Sequence, residues 1–155
     1  VKMANLAQTV NVLQAVILTD AERLILTPTY HVMEMYKGHQ DAQLIPVALE
    51  SPQYSLDGQS LPALSVSASQ DTSGTVRISL VNIDAKKSHA VSLDLSTLNI
   101  KEFSGRILSS KQLQDHNSFE APETITPKAF SKFSFKKGTL QVALPPFSVL
   151  VLESK

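Results

Sequence analysis

The chain has 155 residues, with 14 basic and 14 acidic side chains, no Cys and 6% aromatics. That length fits one domain, or one domain with an appendage, and roughly 68–70% of the extended chain's surface can be buried in a fold of this size. Balanced charge without a basic stripe argues against a nucleic-acid surface and an electrostatically held membrane surface, and the absence of Cys removes disulfides and thiolate chemistry.

A Cys-free composition suits periplasmic, secreted and cytoplasmic proteins alike, so localisation stays open. The sequence starts at Val1 rather than Met, and a processed product or an excerpt is expected. Residues 4–19 contain no charge, no Gly and no Pro. Read as a helix, they align Leu6, Val10, Leu13 and Ile17 in one apolar stripe, with Val12, Ala15 and Val16 on another side. The polar positions Asn5, Gln8, Thr9, Asn11 and Gln14 are all uncharged. The run is short of the about 20 apolar residues of a membrane span, and its amides do not suit a secretory signal. The expectation is a helix enclosed by protein, packed against something outside this chain.

Residues 20–22 suit a turn and 23–26 form a short apolar run. Thr27 can cap a helix and Pro28 suits its first position, where a missing N–H costs nothing. Val32, Met35 and Tyr36 share one face, and Gly38 is a stop, which predicts a helix over 27–37. From Gln43 the period becomes two. Residues 44–49 read as a strand, and Asp57-Gly58 is turn chemistry. Leu64, Val66 and Ala68 alternate with serines. Val76, Ile78 and Leu80, then Val91, Leu93 and Leu95, then 103–108, repeat the pattern. Phe133 and Phe135 lead through Lys137-Gly138 into Leu140, Val142 and Leu144. Pro145-Pro146 breaks the run, and 148–152 closes it. Residues 111–128 form a long loop, a length that is uncommon unless the loop is functional or packed. The fold class is mainly β, an antiparallel sandwich or jelly roll preceded by one or two N-terminal helices.

The segments NLAQTVNVLQAVILT, LTPTYHVMEMYKGHQDA, SLVNID, GRILSS, DHNSFEAPETITP and LPPFSVLVL occur in this order. Together they resemble the carboxyl-terminal third of family 51 glycoside hydrolases, the α-L-arabinofuranosidases. The resemblance covers essentially the whole chain. It implies that residues 1–38 are the end of a (β/α)8 barrel in the parent, with 4–18 its last helix, and that 39–155 are the β-sandwich. It implies an ancillary domain of an enzyme that removes terminal arabinofuranosyl residues from hemicellulose or arabinan with retention. Retention needs two carboxyls about 5–5.5 Å apart, and the family carries both on the barrel. None of Glu22, Glu34, Glu50, Glu102, Glu120, Glu123 and Glu153 stands in the family's catalytic contexts. The resemblance therefore implies no catalytic residue, no cofactor and no metal in this chain, and no hydrolase activity for it alone. Its implied partners are the barrel of the same polypeptide, an arabinofuranosyl oligosaccharide and further copies in a homo-oligomer, with no nucleic acid and no membrane.

Barrel active sites lie at the C-terminal ends of the strands, where the following helices begin. Gln8, in the family's LAQ-type motif, resembles a residue that approaches the arabinose, with Asn5 a weaker neighbour. The alternative is that Gln8 only hydrogen-bonds within the barrel wall. Other candidates read as structural. His31 and His39 do not share a helical face, so a metal there is not expected. Asp115, His116 and Asn117 with Glu120 could suggest acid/base work or a cation site, but Asx bonds to local backbone explain them. Tyr30, Tyr36 and Tyr54 could stack on sugars, but such residues more often sit in a core or seam. Phe119, Phe130, Phe133, Phe135 and Phe147 read as sandwich core. The competing functions are a stand-alone carbohydrate-binding module for arabinose-containing polysaccharides, which three Tyr and no Trp disfavour, and an unrelated adhesion sandwich. Without a barrel, the apolar stripe of residues 4–19 is expected to self-associate or fold back on the sandwich.

Overall fold

The computed structural model describes residue 6, residues 9–12 and residues 15–155. Thirteen strands and one α-helix are assigned among them: β1 (Ile17–Asp20), β2 (Arg23–Leu26), α1 (Pro28–Tyr36), β3 (Gln43–Ile45), β4 (Gln53–Leu56), β5 (Gln59–Pro62), β6 (Leu64–Gln70), β7 (Val76–Asn82), β8 (His89–Asp94), β9 (Phe103–Ser109), β10 (Lys128–Ala129), β11 (Phe133–Lys136), β12 (Thr139–Leu144) and β13 (Ser148–Ser154). A short 3-10 turn, Lys37–His39, follows α1.

Two antiparallel sheets make the sandwich. The larger runs β10-β9-β13-β7-β6-β3 and the smaller β11-β12-β8. Alternation decides which side chains meet between them. Val76, Ile78 and Leu80 of β7, Leu150 and Leu152 of β13, and Phe103 and Ile107 of β9 face Val91, Leu93, Leu140, Val142 and Leu144 of the smaller sheet. Phe130, Phe133 and Phe135 pack at the edge of this core as expected. Phe119 and Phe147 do not belong to it: Phe119 lies under the Arg23 guanidinium, 4.7 Å from its ring centroid, and Phe147 lines a crevice with Pro28 and Leu108. Gly105 faces the core. A Cβ there would stand 2.7 Å from the Phe130 carbonyl oxygen and 2.9 Å from Leu152, so the close strand approach requires glycine.

Two hairpin turns follow directly from their residues. Asp57 and Gly58 have φ of 49° and 77°, and Lys137 and Gly138 have 50° and 76°. Both pairs are two-residue loops with both positions left-handed, which matches the right-handed twist of the flanking strands. The first turn joins β4 to β5 in a separate two-stranded sheet, which the sequence pattern left as a turn. The strand expected over 44–49 stops at Ile45, because Pro46 has no N–H for the ladder.

α1 matches the helix predicted over 27–37, and it covers the outer face of the larger sheet. Met35, with Val32 and Tyr36 beside it, packs on Leu108, Val149, Val151 and Ile125. The middle strands of this sheet are therefore covered on both faces.

The opening stretch differs from the expected helix. Ile17–Asp20 is a strand, paired with β2 from Ile17↔Leu26 to Asp20↔Arg23. Asn11 has φ of 54°, which interrupts any right-handed helix. Its side chain accepts from the Thr19 N–H at 2.6 Å and donates to the Thr19 hydroxyl at 2.7 Å. Val10, Val12, Val16, Ile17 and Thr19 are β-branched and suit extended backbone. Their spacing fitted a helical stripe equally well, which is why the sequence misled. Asn5, Gln8 and Leu13 lie outside the described residues.

Candidate functional site

The residues that join the N-terminal segment to the sandwich form a connected polar region, and three side chains organise it. Thr27 follows β2 and caps α1: its hydroxyl accepts from the Tyr30 N–H at 3.4 Å. The same hydroxyl lies 2.9 Å from the Ala15 carbonyl and 3.0 Å from that of Val16, to which it donates. The Thr27 N–H also donates to Val16, at 3.1 Å. The Val16 and Ile17 N–H groups in turn donate to the Thr9 carbonyl, at 3.1 and 3.0 Å. One side chain thus fixes both the helix start and the incoming chain.

Asn117 fastens the long loop to this arrangement. It is 4% exposed. Its carboxamide accepts from the Ile125 N–H at 2.7 Å and donates to the Ile125 carbonyl at 2.9 Å. It also donates to the Leu26 carbonyl at 2.8 Å. Ile125 is pinned against Met35 and Val151, so the loop that carries Asn117 is rooted in packed structure. The local Asx reading of this loop describes Asp115 well: it accepts from the Ser110 hydroxyl and from the N–H groups of Lys111 and Gln112. Those bonds, the Ser110 hydroxyl foremost, hold its carboxyl below the usual carboxylate range. His116 bonds the Gln114 carbonyl, and Glu120 is exposed. Asn117 is the exception, because it reaches across the fold.

His39 holds the other end of α1. Its two ring nitrogens lie 2.7 Å from the Ser69 hydroxyl and 2.6 Å from the Ser79 hydroxyl. Both serines are buried in the sheet. Burial, and then the nearby Arg77 charge, push the imidazole toward its neutral form. Tyr36 stands edge-on to the ring at 5.7 Å between centroids, and burial raises its phenol. His31 is elsewhere, edge-on to Tyr30. Tyr54 pairs across the hairpin with Leu61. Among the described residues, no three His, Asp or Glu gather as metal ligands.

A groove of about 280 Å³ runs between α1 and the sheet, lined by Glu34, Lys37, Arg77, Arg106 and Glu153 among others. Arg106 grips Glu34 with two bonds of 3.1 and 2.9 Å. Arg77 bonds Asp71 at 2.6 Å and Glu153 at 2.7 Å. The Ser73 hydroxyl first, and then Arg77, keep Asp71 far below the usual carboxylate range. An acid held ionised in this way cannot lend a proton near neutral pH.

The open face of the smaller sheet presents Ala90, Ser92, Asp94, Ser134, Lys136, Gln141 and Ala143. None of these side chains is aromatic, so they give a sugar ring no stacking platform. Thr27 was legible as a cap. Its donation to Ala15 and Val16, the Asn117–Leu26 bond and the His39 clasp are contacts between distant positions, which no local pattern announces.

Against known proteins, the family described as the α-L-arabinofuranosidase C-terminal domain matches residues 1–148. An intracellular exo-α-L-arabinofuranosidase of Bacteroides ovatus is 42% identical over 153 residues, which are 98% of this chain and 30% of that protein. The crystal structure of a GH51 arabinofuranosidase from Xanthomonas axonopodis pv. citri superposes with a TM-score of 0.95 at 41% identity, covering 100% of this chain and 31% of the other. An α-L-arabinofuranosidase from Thermotoga maritima, solved as an arabinose complex, gives 0.84 at 25% identity, covering 99% and 34%. The chain spans about a third of the length of these relatives.

Proposed function

This chain belongs to the α-L-arabinofuranosidase C-terminal domain family, and from that premise we propose that it works as the ancillary sandwich of a larger arabinofuranosidase. The parent hydrolyses terminal arabinofuranosyl residues with retention. Its two catalytic carboxyls come from a barrel that precedes this domain, with residues 1–38 at the join and 39–155 as the sandwich. The observation that carries the reading is coverage: nearly all of this chain aligns with only 30% of the Bacteroides enzyme.

Gln8, with Asn5 a weaker candidate, contacts the arabinose in the intact parent. The domain braces the barrel, and copies of the parent associate. Exposed apolar side chains support a partner surface on this side: Leu24 is 57% exposed and Met33 49%. The lack of aromatic side chains among the outward residues of the β8–β12–β11 sheet supports bracing over polysaccharide capture.

The test compares the chain alone with the same chain fused behind its barrel, using 4-nitrophenyl α-L-arabinofuranoside. Turnover by the fusion and none by the chain alone is the expected result. Clear turnover by the chain alone would sink the reading. Saturable calorimetric binding of arabino-oligosaccharides by the chain alone would favour a binding module instead.

A further inference from the structure

We propose that His39 is an acid-sensitive latch: its neutral ring fastens residues 37–44 to the larger sheet, and its protonation releases that segment, and with it the edge strand β3, before the rest of the fold gives way.

The segment has little else to hold it. It leaves the buried Met35 layer at Tyr36 and rejoins the core only at Ile45. Lys37, Gln40, Asp41 and Gln43 are exposed, and Leu44 is 69% exposed. Along this stretch only His39 hydrogen-bonds the sheet through its side chain, by its contacts with Ser69 and Ser79. The backbone adds one tie, because the Gly38 carbonyl accepts from Arg77 Nη1 at 3.2 Å. The ladder beyond is short, with Gln43, Leu44 and Ile45 set opposite Gln70, Ser69 and Ala68. Ser69 therefore serves twice, as a partner of the imidazole and as the neighbour of Leu44 across the ladder. Losing the ring contact loosens β3 at that register.

Donor count and charge both turn a proton against the clasp. A neutral imidazole has one donor and one acceptor, which suits two hydroxyls of which one accepts and one donates. A protonated ring has two donors, so the hydroxyl that donated to it loses its acceptor. Ser69 and Ser79 are 5% and 1% exposed, and a buried hydroxyl without a partner is costly. The charge that bears on the ring is that of Arg77 on β7, of the same sign as the incoming proton. Asp71 and Glu153 are already bonded to that guanidinium. Tyr36 on α1 stays uncharged, because burial raises its phenol, and Lys37 of the same turn is another cation.

Burial first, and then Arg77, hold the folded ring below its ordinary value of 6.5. A released ring titrates at the ordinary value. The latch is therefore at full strength above 6.5 and weakens as pH falls from there toward the lowered value. Opening also has a structural consequence. β3 covers β6 only along Ala68, Ser69 and Gln70, so its departure leaves the whole outer edge of β6 as an unpaired ladder, a template for another strand.

The test is amide hydrogen exchange of the full chain, read as protection factors between pH 7.5 and 4.5. It compares the wild type with His39→Gln, whose amide keeps a donor and an acceptor but binds no proton in this range. In the wild type, amides of residues 38–44 are expected to lose protection about tenfold per pH unit below the ordinary value until the lowered one is reached. Those of β7 and β13 keep theirs, and in His39→Gln the segment holds one level throughout. The same pH response in both proteins, or parallel loss in β13, overturns the latch. Should His39→Gln leave the segment open even at pH 7.5, the imidazole proton signals of the wild type decide. Titration below 6.5 in step with the loss of protection upholds the latch. Titration at or above 6.5, or titration with residues 38–44 still protected, overturns it.

Discussion

The two-sheet sandwich and the N-terminal seam are held by different forces. Between the sheets, Ile78, Leu80, Leu140, Leu144, Leu150 and Leu152 are almost wholly removed from water. Burial of that kind is non-directional and sums to large stabilisation. At the seam, Thr27, Asn117 and His39 act through a few directional bonds, while Leu24 and Met33 stay exposed. Such bonds add little net stability but fix angle and distance. The comparison teaches that the sandwich rests chiefly on non-directional burial, whereas the seam adds to its own apolar cluster of Met35, Leu108, Ile125 and Val151 a set of bonds that fix geometry.

The sharpest way to break this contrast is to empty the core. Leu150→Ala, at a position 0% exposed, is expected to cost about 2–5 kcal/mol of unfolding free energy, read by urea denaturation. Gly105→Ala should rank next, at about 1–3 kcal/mol, because the new methyl meets the fixed Phe130 carbonyl. Both should loosen seam and sandwich together in hydrogen exchange.

Asn117→Ala in the isolated chain should cost about 1–3 kcal/mol, the penalty for leaving the Leu26 carbonyl and the Ile125 groups without partners. Here the exchange pattern separates the regions. Amides of residues 9–26 and 111–128 should lose protection, while β7 and β13 keep theirs. Equal loss everywhere would erase the distinction between the two regions.

Acidification probes the same seam. The fold favours neutral His39, so the unfolded chain binds its proton more readily. The His39 contribution is therefore complete above its ordinary value of 6.5, and it declines as pH falls below that value toward the lowered one. Protonation would add a cation beside Tyr36 and Arg77, whose charge Asp71 and Glu153 already occupy. Urea midpoints at pH 7.5 and 5.5 should differ more in the wild type than in His39→Gln. The smallest effect belongs to Arg106→Ala, whose partly exposed pair with Glu34 should contribute no more than about 1 kcal/mol.

What the sequence revealed follows the same division. Val76, Ile78 and Leu80, or Leu140, Val142 and Leu144, announce strands because a half-buried sheet imposes period two on neighbours. Lys137-Gly138 announces its turn because the backbone there must be left-handed. Both are local demands, and the sandwich was legible from them. The opening stretch was not, because Val10 and Ile17 fit a helical stripe and an extended segment equally, and only the left-handed Asn11 decides between them. Phe119 was assigned to the core for its bulk, yet it is covered by Arg23, a contact set by tertiary structure. Asn117 was recognised as a loop former, but the carbonyl it seeks lies on another strand. Gln8 and Asn5 rest on resemblance alone, and kinetics must judge them.

One feature of the larger sheet bears on how the domain is made. β13 is the last strand in sequence, yet it lies between β9 and β7 in space. A nascent polypeptide that has not passed Ser148 leaves two neighbouring strands with open edges and the core without Leu150 and Leu152. On the ribosome the sandwich therefore cannot close until synthesis has run through its final strand, and a product truncated before that point presents the unpaired edges that invite aggregation and proteolysis. The order of the strands ties closure of the sandwich to the arrival of the strand that is made last within it.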